Sequence, residues 1–388
     1  MQEQERVGAR VARIRKQRGM TQVALAKRAG SSVSMVSKVE GGYASASSQL
    51  LGAIAGALGV DTTVLTGPQD RPEQLHEMVP TIRRALASVD LFEWDGEPQP
   101  ISALRAQVVQ LNTWRRDTKY RKIGQVLPDL VEQLLLAGRE HGEPAYALLA
   151  DTYRASNTLA HKLGYSDLSM TALDRMEWAA VRSGDQLLLA TTNYLRAAAL
   201  ARIGAGKQAL LLLDRTMAEI EPFVEIDRDA AAVWTALHMR AGTVSATLAD
   251  ASRSQDHLEE AARVAENVGN RVVYETTVGP ANVRLYAIAA AVDLGHGGRA
   301  VQLAKSTVLP GDMAAERKTH FHLDAARAYL LNRNPDEAIE ELHQAHALAP
   351  EHFRASTTVK TALQTAAAQQ RRATYGLRAL ANQAGLVD

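Results

Sequence analysis

The feature of this sequence that most constrains its fold is the absence of an alternating strand pattern after about residue 100, where the chain is rich in Ala and Leu. No cluster of Val, Ile, Thr and Tyr flanked by turn residues is found in this part, so we predict that it is helical throughout. Before residue 60, apolar residues recur at helical spacing, as at Val7, Val11 and Ile14. The sequence therefore predicts an all-α protein.

The first 65 residues divide into several short helices, because cap and turn residues separate the apolar stretches. Thr21 is placed to cap a second helix and Ser32 to cap a third. A fourth segment, 49–58, would close a small core and end at Gly59. The spacing of these cap and turn residues predicts a compact helical head at the start of the chain.

Charge is concentrated in that head. The whole chain has 44 Lys and Arg against 43 Asp and Glu, but residues 1–65 carry nine basic and four acidic side chains. A compact basic segment is typical of proteins that bind a polyanion such as nucleic acid. The chain has no cysteine, which excludes disulfide scaffolds, thiolate metal sites and cysteine nucleophiles.

The location of the protein is predicted from two further patterns. Near the N-terminus no uncharged run is long enough for a signal-peptide core, and nowhere do about 18 apolar residues follow one another. We therefore expect a cytoplasmic protein that does not contact a membrane.

Shifts in composition predict three parts of the chain. Residues 1–67 form the head, and residues 68–100, which are rich in proline and acidic side chains, form a linker with one helix at roughly 73–87. Residues 101–388 form a helical domain. The linker is a candidate hinge between the other two parts.

The helical domain contains a repeated pattern. Residues 319–351 fit a helix–turn–helix repeat of 34 residues, with Asn332 to Pro335 in the turn. A lone helical hairpin cannot bury its apolar face, whereas stacked pairs can, and they curve into a solenoid with a concave inner face. An insertion is expected around 221–229. A small residue near the start of the second helix of each pair recurs at Ala172, Ala209, Ala261, Ala300 and Ala338. The pattern resembles tetratricopeptide-like repeats.

The head resembles the helix-turn-helix domain of the Xre/Cro family, which includes phage repressors. The resemblance covers about sixty residues and is carried by the segments 21–26, 30–32, 34–37 and 40–42. It implies that the helix beginning near Ser32 docks in the major groove of double-stranded DNA. The implied base-reading residues are Val33, Ser34, Met35 and Lys38.

Other positions of the head are expected to contact phosphate or to be structural. The resemblance implies phosphate contacts by Gln22, Lys27, Ser37 and Tyr43, which would fix register without reading sequence. A solvated surface charge is the alternative for Lys27. The resemblance also implies a structural ion pair between Arg15, late in the first helix, and Glu40, which closes the third.

Polar and aromatic residues on the first helix of each repeat are candidates for binding a ligand on the concave face. Asparagine amides can clamp a peptide backbone, and arginine can hold a carboxylate with two hydrogen bonds. The alternative is that many of them cap helices or join neighbouring repeats. The candidates are Asn157, His161, Asn193, Tyr194, Arg196, His238, Arg240, Asn282, Arg284, Tyr286, Arg317, Phe321 and His322.

The sequence contains no pattern that favours catalysis. The segment 204–207 lacks the first glycine, the Ser or Thr and the preceding strand of a phosphate loop. His343 and His346 share a helical face with Glu340, but a solvated face explains them better than a metal site does. We predict no catalytic residue, metal or cofactor.

An Xre-type head on a tetratricopeptide-like body resembles two groups of bacterial regulators, the peptide-pheromone-responsive kind and a large actinobacterial kind. The second fits better, through the segments 184–185, 316–317, 323–329 and 349–351 and the segment around Asn282. The resemblance implies a DNA-binding transcriptional regulator whose repeats sense a ligand, a peptide or a small molecule. We expect it to bind a two-fold operator as a homodimer, because one such head contacts too few base pairs for high specificity. A scaffold that recruits a protein to DNA is the alternative, and an enzyme with a regulatory head is the least favoured.

Overall fold

The computed structural model of the chain describes residues 6–67, 76–89, 97–370 and 374–386. These residues are almost entirely α-helical, as the sequence predicts. None of the described helices combines the length and the apolar character that crossing a bilayer requires.

The head consists of five short helices around one apolar core. Thr21 Oγ1 accepts a hydrogen bond from the Ala24 amide at 3.1 Å, and Ser32 Oγ accepts one from the Met35 amide at 3.1 Å. Both predicted caps are therefore confirmed. Gly59 follows the fourth helix with a φ of 63°, a left-handed conformation that glycine adopts without strain. The helices are α1 (Val7–Gln17), α2 (Gln22–Ala29), α3 (Val33–Glu40), α4 (Ser48–Leu58) and α5 (Thr62–Thr66).

The helix predicted at roughly 73–87 in the linker is found in part. Val79–Ala87 form α6, and residues 73–75 lie outside the described residues. Ile82 and Leu86 are fully buried in the same apolar cluster as Leu127 of the following domain. The apolar face of α6 thus packs against the body.

The body is an array of helices in which chain neighbours pack against each other. Its helices are α7 (Ile101–Arg116), α8 (Tyr120–His141), α9 (Glu143–Lys162), α10 (Ser166–Arg182), α11 (Gln186–Arg202), α12 (Gly206–Ile220), α13 (Arg228–Thr247), α14 (Ala251–Val268), α15 (Pro280–Asp293), α16 (Gly297–Ser306), α17 (Ala315–Leu331), α18 (Pro335–Leu348), α19 (Pro350–Ala355), α20 (Thr357–Gln369) and α21 (Tyr375–Gln383). A short 3₁₀ turn, Glu221–Phe223, follows α12 within the segment predicted as an insertion.

The five small residues that define the predicted repeat lie where a close helix contact requires them. Ala172, Ala209, Ala261, Ala300 and Ala338 occupy α10, α12, α14, α16 and α18, the second helix of each successive pair, and each has 0% exposure. A larger side chain there would separate the two helices of a pair. Ala209, Ala300 and Ala338 lie near the start of these helices, as predicted, whereas Ala172 is the seventh residue of α10 and Ala261 the eleventh of α14.

A β-hairpin interrupts the helices, against the prediction that this part of the chain contains no strand. Strands β1 (Arg271–Val273) and β2 (Thr276–Val278) pair antiparallel around Tyr274 and Glu275, which both have positive φ. The local signal was a β-branched run, 272–278, bounded by Gly and Pro. It was missed because the two turn residues lack the usual Asn-Gly chemistry.

The head lies against the body through α4 and the loop that precedes it. Ser45 Oγ is 2.9 Å from Thr361 Oγ1, and Ser47 Oγ donates to Asp293 at 3.2 Å. A Cβ at Gly52 would lie 1.9 Å from the Arg202 carbonyl oxygen, so α4 approaches the end of α11 at a distance that only glycine permits.

Candidate functional site

Helix α3 presents the predicted polar face outward. Val33 is 42% exposed, and Ser34 and Ser37 are also exposed, while Val36 and Val39 are buried in the head. This arrangement follows from the helical period, which puts positions three and four apart on one side. The exposed side chains share one side of α3, the helix that the sequence predicts to enter a major groove.

Two of the predicted base-reading residues contact the body in this structure. Lys38 Nζ lies 3.4 Å from the carbonyl oxygen of Gly295, in the loop between α15 and α16. Met35 is only 3% exposed, and its Cε lies beside the same glycine. Met35 and Lys38 thus contact the body, whereas Val33, Ser34 and Ser37 are exposed.

The residues predicted to contact phosphate have different surroundings. Lys27 is exposed, and Tyr43 is 45% exposed with the guanidinium of Arg333 4.5 Å from its ring centroid. Gln22 Nε2 donates to Glu40 Oε2 at 2.9 Å and is partly buried. Lys27 and Tyr43 are therefore free to approach a phosphate, while Gln22 is held by a carboxylate.

The predicted ion pair between Arg15 and Glu40 is confirmed. Arg15 donates to both carboxylate oxygens, with N–O distances of 2.6 and 2.8 Å, and to the Met20 carbonyl at 2.7 Å. Although burial raises the pKa of Glu40, the hydrogen bonds from Arg15 and Gln22 hold that pKa below its usual value. The pair joins the first and third helices of the head.

A concave cavity of about 300 Å³ lies between the head and the first helices of the body pairs. It is lined by head residues 47–49 and by α9, α11, α13, α15 and α17, and also by α7, the β-hairpin and residues 352 and 356–358. Seven of the predicted ligand residues line it, namely Asn157, His161, Tyr194, Arg240, Asn282, Tyr286 and Arg317.

Six predicted ligand residues do not line the cavity, because each faces a neighbouring helix or loop. Asn193 Nδ2 donates to Thr216 Oγ1 at 3.0 Å, Arg196 pairs with Asp174 at 2.5 Å, and Arg284 donates to a backbone carbonyl. One residue along a helix is a rotation of about 100°, so Asn193 points away from the cavity that Tyr194 enters. The six are Asn193, Arg196, His238, Arg284, Phe321 and His322.

The other three of these six join elements of the body. His322 Nδ1 lies 2.6 Å from Glu341 on the next helix, and His238 Nδ1 lies 3.2 Å from His257 Nδ1. Phe321 is 8% exposed within an apolar cluster. These contacts match the alternative interpretation, in which polar and aromatic residues join neighbouring repeats.

Two tyrosines and an arginine form the centre of the cavity. The hydroxyls of Tyr194 and Tyr286 are 2.6 Å apart, and Arg240 Nη2 donates to them at 2.9 and 3.2 Å. Arg317 Nε donates to Asn282 Oδ1 at 3.0 Å, beside the Tyr286 ring. These contacts hold the side chains in place.

Sequence reasoning missed most of the charged side chains of the cavity. A helical-period signal could have found some of them, since Arg154 precedes Asn157 by three residues and His161 by seven, and Arg202 follows Tyr194 by eight. The missed charged residues are Arg115, Arg116, Arg154, Lys162, Arg202, Glu275, Asp293, Glu316, Asp324 and Arg327.

Three histidines on one side of the cavity are uncharged near neutral pH. Burial and the neighbouring Lys162 lower the pKa values of His320 and His352 well below their usual range, and burial and Arg202 do the same for His161. Tyr120 shares a hydrogen bond of 2.9 Å with His352 Nδ1. Within the described residues, no three side chains of His, Asp or Glu converge as metal ligands.

The family that the chain matches covers most of the head. Residues 11–65 match the family described as helix-turn-helix. The immunity repressor protein of Bacillus phage phi105 is 30% identical over 125 residues, which span 29% of this chain and 87% of the phage protein. With its capped α2 and α3 and its outward-facing recognition surface, the chain belongs to the helix-turn-helix family of DNA-binding transcriptional regulators.

Proposed function

We propose that this regulator recognises a two-fold operator as a homodimer and that its tetratricopeptide-like body binds a peptide or small-molecule effector in the cavity. The observation that carries the proposal is the composition of the cavity wall, to which both the head and the body contribute. An occupant of such a cavity contacts both parts of the chain at once. Its binding free energy can therefore depend on how the head is oriented.

The dimer is proposed from the geometry of DNA. One head of this kind contacts only a few base pairs, and two heads on half-sites about 34 Å apart supply the specificity that a genome requires. Sedimentation of the full chain at several concentrations, with and without operator DNA, tests this. A monomer that binds a single half-site with full specificity would overturn the dimer.

Effector control is proposed to act through the contact between α3 and the body. Lys38 and Met35 lie against the loop at Gly295, so these two side chains reach base edges only when the head and this loop separate. A ligand shifts that equilibrium by no more than the difference between its affinities for the two arrangements. The linker, residues 68–100, would take up the change in orientation.

The experiment that tests the regulator is genome-wide binding of the tagged chain, compared with a Lys38→Ala, Ser34→Ala double variant. A small number of sharp peaks with two-fold symmetry, lost in the variant, are expected. Lys207→Ala, an exposed lysine of α12, serves as the matched control and should leave the peaks unchanged. Absence of variant-sensitive peaks for a folded protein would favour the scaffold, in which the repeats recruit a partner protein.

Binding to purified operator DNA then distinguishes residues that read bases from residues that contact phosphate. Lys38→Ala should weaken binding by about 1–3 kcal/mol and relax one operator position, since lysine donates to guanine O6 and N7. Lys27→Ala should weaken binding equally on all sequences and reduce the salt dependence by about one counterion. A uniform loss in Lys38→Ala would instead make Lys38 a phosphate contact.

A further inference from the structure

The cavity carries an excess of positive charge. Among the described residues, its wall holds eight cationic side chains against four carboxylates. Arg115, Arg116, Lys162 and Arg327 lie within 4.0 Å of those carboxylates. The remaining four cations form no ion pair with a described carboxylate, and they are Arg154, Arg202, Arg240 and Arg317.

Arg202 has the least compensation of the four. It ends α11, is partly buried, and makes no side-chain hydrogen bond to any described residue. Burial and the neighbouring Arg240 lower the pKa of Arg202 to about 9, which leaves it charged at neutral pH. A partly buried cation beside another cation is unfavourable unless an anion joins them.

Arg240 and Arg317 are held in place but not neutralised. Arg240 donates through Nη2 to two phenol oxygens, and Arg317 donates through Nε to an amide oxygen. An arginine has five N–H donors in a planar fork, so most donors of both side chains remain for another acceptor. Carboxylate and phosphate groups match this fork with paired hydrogen bonds.

Two acidic groups of the cavity wall have pKa values lowered by neighbouring side chains. Although burial raises the pKa of Tyr194, that pKa is brought below its usual value by Arg240, by the hydrogen bond with Tyr286 and by Arg317. Burial likewise raises the pKa of Glu316, but Lys162 and Arg115 lower it overall. Both groups have their anionic forms stabilised in spite of burial.

The size and the walls of the cavity restrict the ligand further. A volume of about 300 Å³ lies at the lower end of the range for small-molecule sites, which favours a compact ligand over an extended peptide. Leu195, Ala198 and Leu285 supply apolar wall beside the cations. Such a site suits an organic molecule with both charged groups and a carbon skeleton.

We propose that the cavity binds a compact organic anion with at least two negative charges, borne by carboxylate or phosphate groups and held by Arg202, Arg240 and Arg317. The assignment rests on the proposed effector site and names the chemical class of its ligand. The anion completes the charge balance that the side chains of the wall leave open.

The test uses the full-length, nuclease-treated chain and three probes of known chemistry. Calorimetric titrations with citrate and with pyrophosphate, at constant ionic strength, compare a carboxylate with a phosphate source of charge, and glucose is the neutral probe. We expect saturable binding of at least one of the two anions and none of glucose. Absence of saturable binding by both anions, or equal binding of glucose, would overturn the proposal.

Two arginines of the same helix provide a matched pair of variants. Arg202→Gln should weaken anion binding by about tenfold, because it removes a charge-assisted hydrogen bond. Arg196→Gln removes an arginine six residues earlier that is paired with Asp174 and Glu177 outside the cavity, and it should leave the affinity within about twofold. Equal affinity of both variants and the wild type would place the bound anion elsewhere on the surface and refute the assignment.

Operator binding, measured on the same samples without added anion, tests the proposed function independently of the anionic ligand. A chain that binds its operator but neither anion refutes the anionic ligand alone. A chain that binds an anion through Arg202 but recognises no operator upholds the cavity assignment and refutes the proposed regulator.

Discussion

Arg15 in the head and Arg202 in the cavity of the body have opposite surroundings. In the head, Arg15 is neutralised by Glu40 and also donates to the Met20 carbonyl. In the cavity of the body, Arg202 has no described hydrogen-bond partner, and Arg240 donates only to neutral phenols. The difference teaches that the buried charge of Arg15 is balanced within the head, whereas Arg202 and Arg240 have no described carboxylate within ion-pair distance.

This contrast separates a structural role from a binding role for the same residue type. A buried cation with a bidentate carboxylate joins two helices, and removing either partner leaves the other uncompensated. A cation without such a partner keeps its donors available for a ligand. The following variants test each side of the comparison, beginning with the largest expected effect.

Glu40→Gln should destabilise the head by about 3 kcal/mol, because it leaves the Arg15 guanidinium buried without its counter-charge. Hydrogen exchange of peptides from 21–40 measures this, since all four tryptophans of the chain lie outside the head and fluorescence would not report on it. Glu177→Gln, which removes an exposed partner of Arg196, is the control and should cost less than about 1 kcal/mol. Equal effects of the two variants would contradict a structural role for the buried pair.

The same carboxylate gives the head a dependence on pH. The pKa of Glu40 is lower in the folded protein than the ordinary value of 4.5 expected in the unfolded chain. Its contribution to stability is therefore complete above about pH 4.5 and is lost as the pH falls through the folded-state pKa. Glu40→Gln should reduce the acid sensitivity of exchange in the head, and an unchanged pH profile would assign that sensitivity to other groups.

Gly52→Ala should weaken the contact between head and body by about 2 kcal/mol, because its new methyl group would collide with the Arg202 carbonyl. The matched control is Gly56→Ala on the same helix, where the new Cβ meets its nearest atom at 3.8 Å. Exchange of 45–49 and 361–365 reports on the contact. Protection that is equal in both variants would mean that the head does not rest on α11 in solution.

Arg202→Gln should stabilise the ligand-free chain by about 1 kcal/mol, since it removes a partly buried charge that no described residue compensates. The measurement is thermal unfolding at low ionic strength with no polyvalent anion present. Arg196→Gln, which breaks two exposed ion pairs, should leave the melting temperature unchanged or lower it slightly. A clear loss of stability in Arg202→Gln would show that this arginine is structural and would remove the contrast with Arg15.

Much of the fold was predictable because it depends on neighbours in the chain. Thr21 and Ser32 cap helices through amides three residues away, and five alanines occupy the second helix of five pairs. The hairpin at Tyr274 and Glu275 was not predicted, because its turn lacks the usual Asn-Gly residues and because a residue distant in the sequence holds the turn in place. Arg154 donates to the carbonyl oxygens of both turn residues at 2.8 and 2.9 Å across more than a hundred residues of sequence.

In the candidate sites, too, features set by neighbours in the chain were predicted, whereas contacts with distant segments were not. Helical periodicity placed Val33, Ser34 and Ser37 on the outside of α3, but it could not show that Lys38 reaches Gly295 in the body. Seven of thirteen proposed ligand residues line the cavity, and the others face neighbouring helices. The side of a first helix that faces the cavity depends on the angle at which successive helix pairs stack. That angle is set by packing between segments that are distant in the sequence.

The sequence by itself determined the all-α architecture, the helix-turn-helix head with its Arg15–Glu40 pair, and the alternation of paired helices in the body. Caps, glycines and apolar spacing act over a few residues, so they can be recognised in the sequence alone. Only the tertiary structure decided that Arg202, Arg240 and Arg317 line one cavity without forming an ion pair with a described carboxylate. Charge balance in a cavity depends on distances between side chains from separate helices, and in this chain those distances exist only after the repeats have stacked.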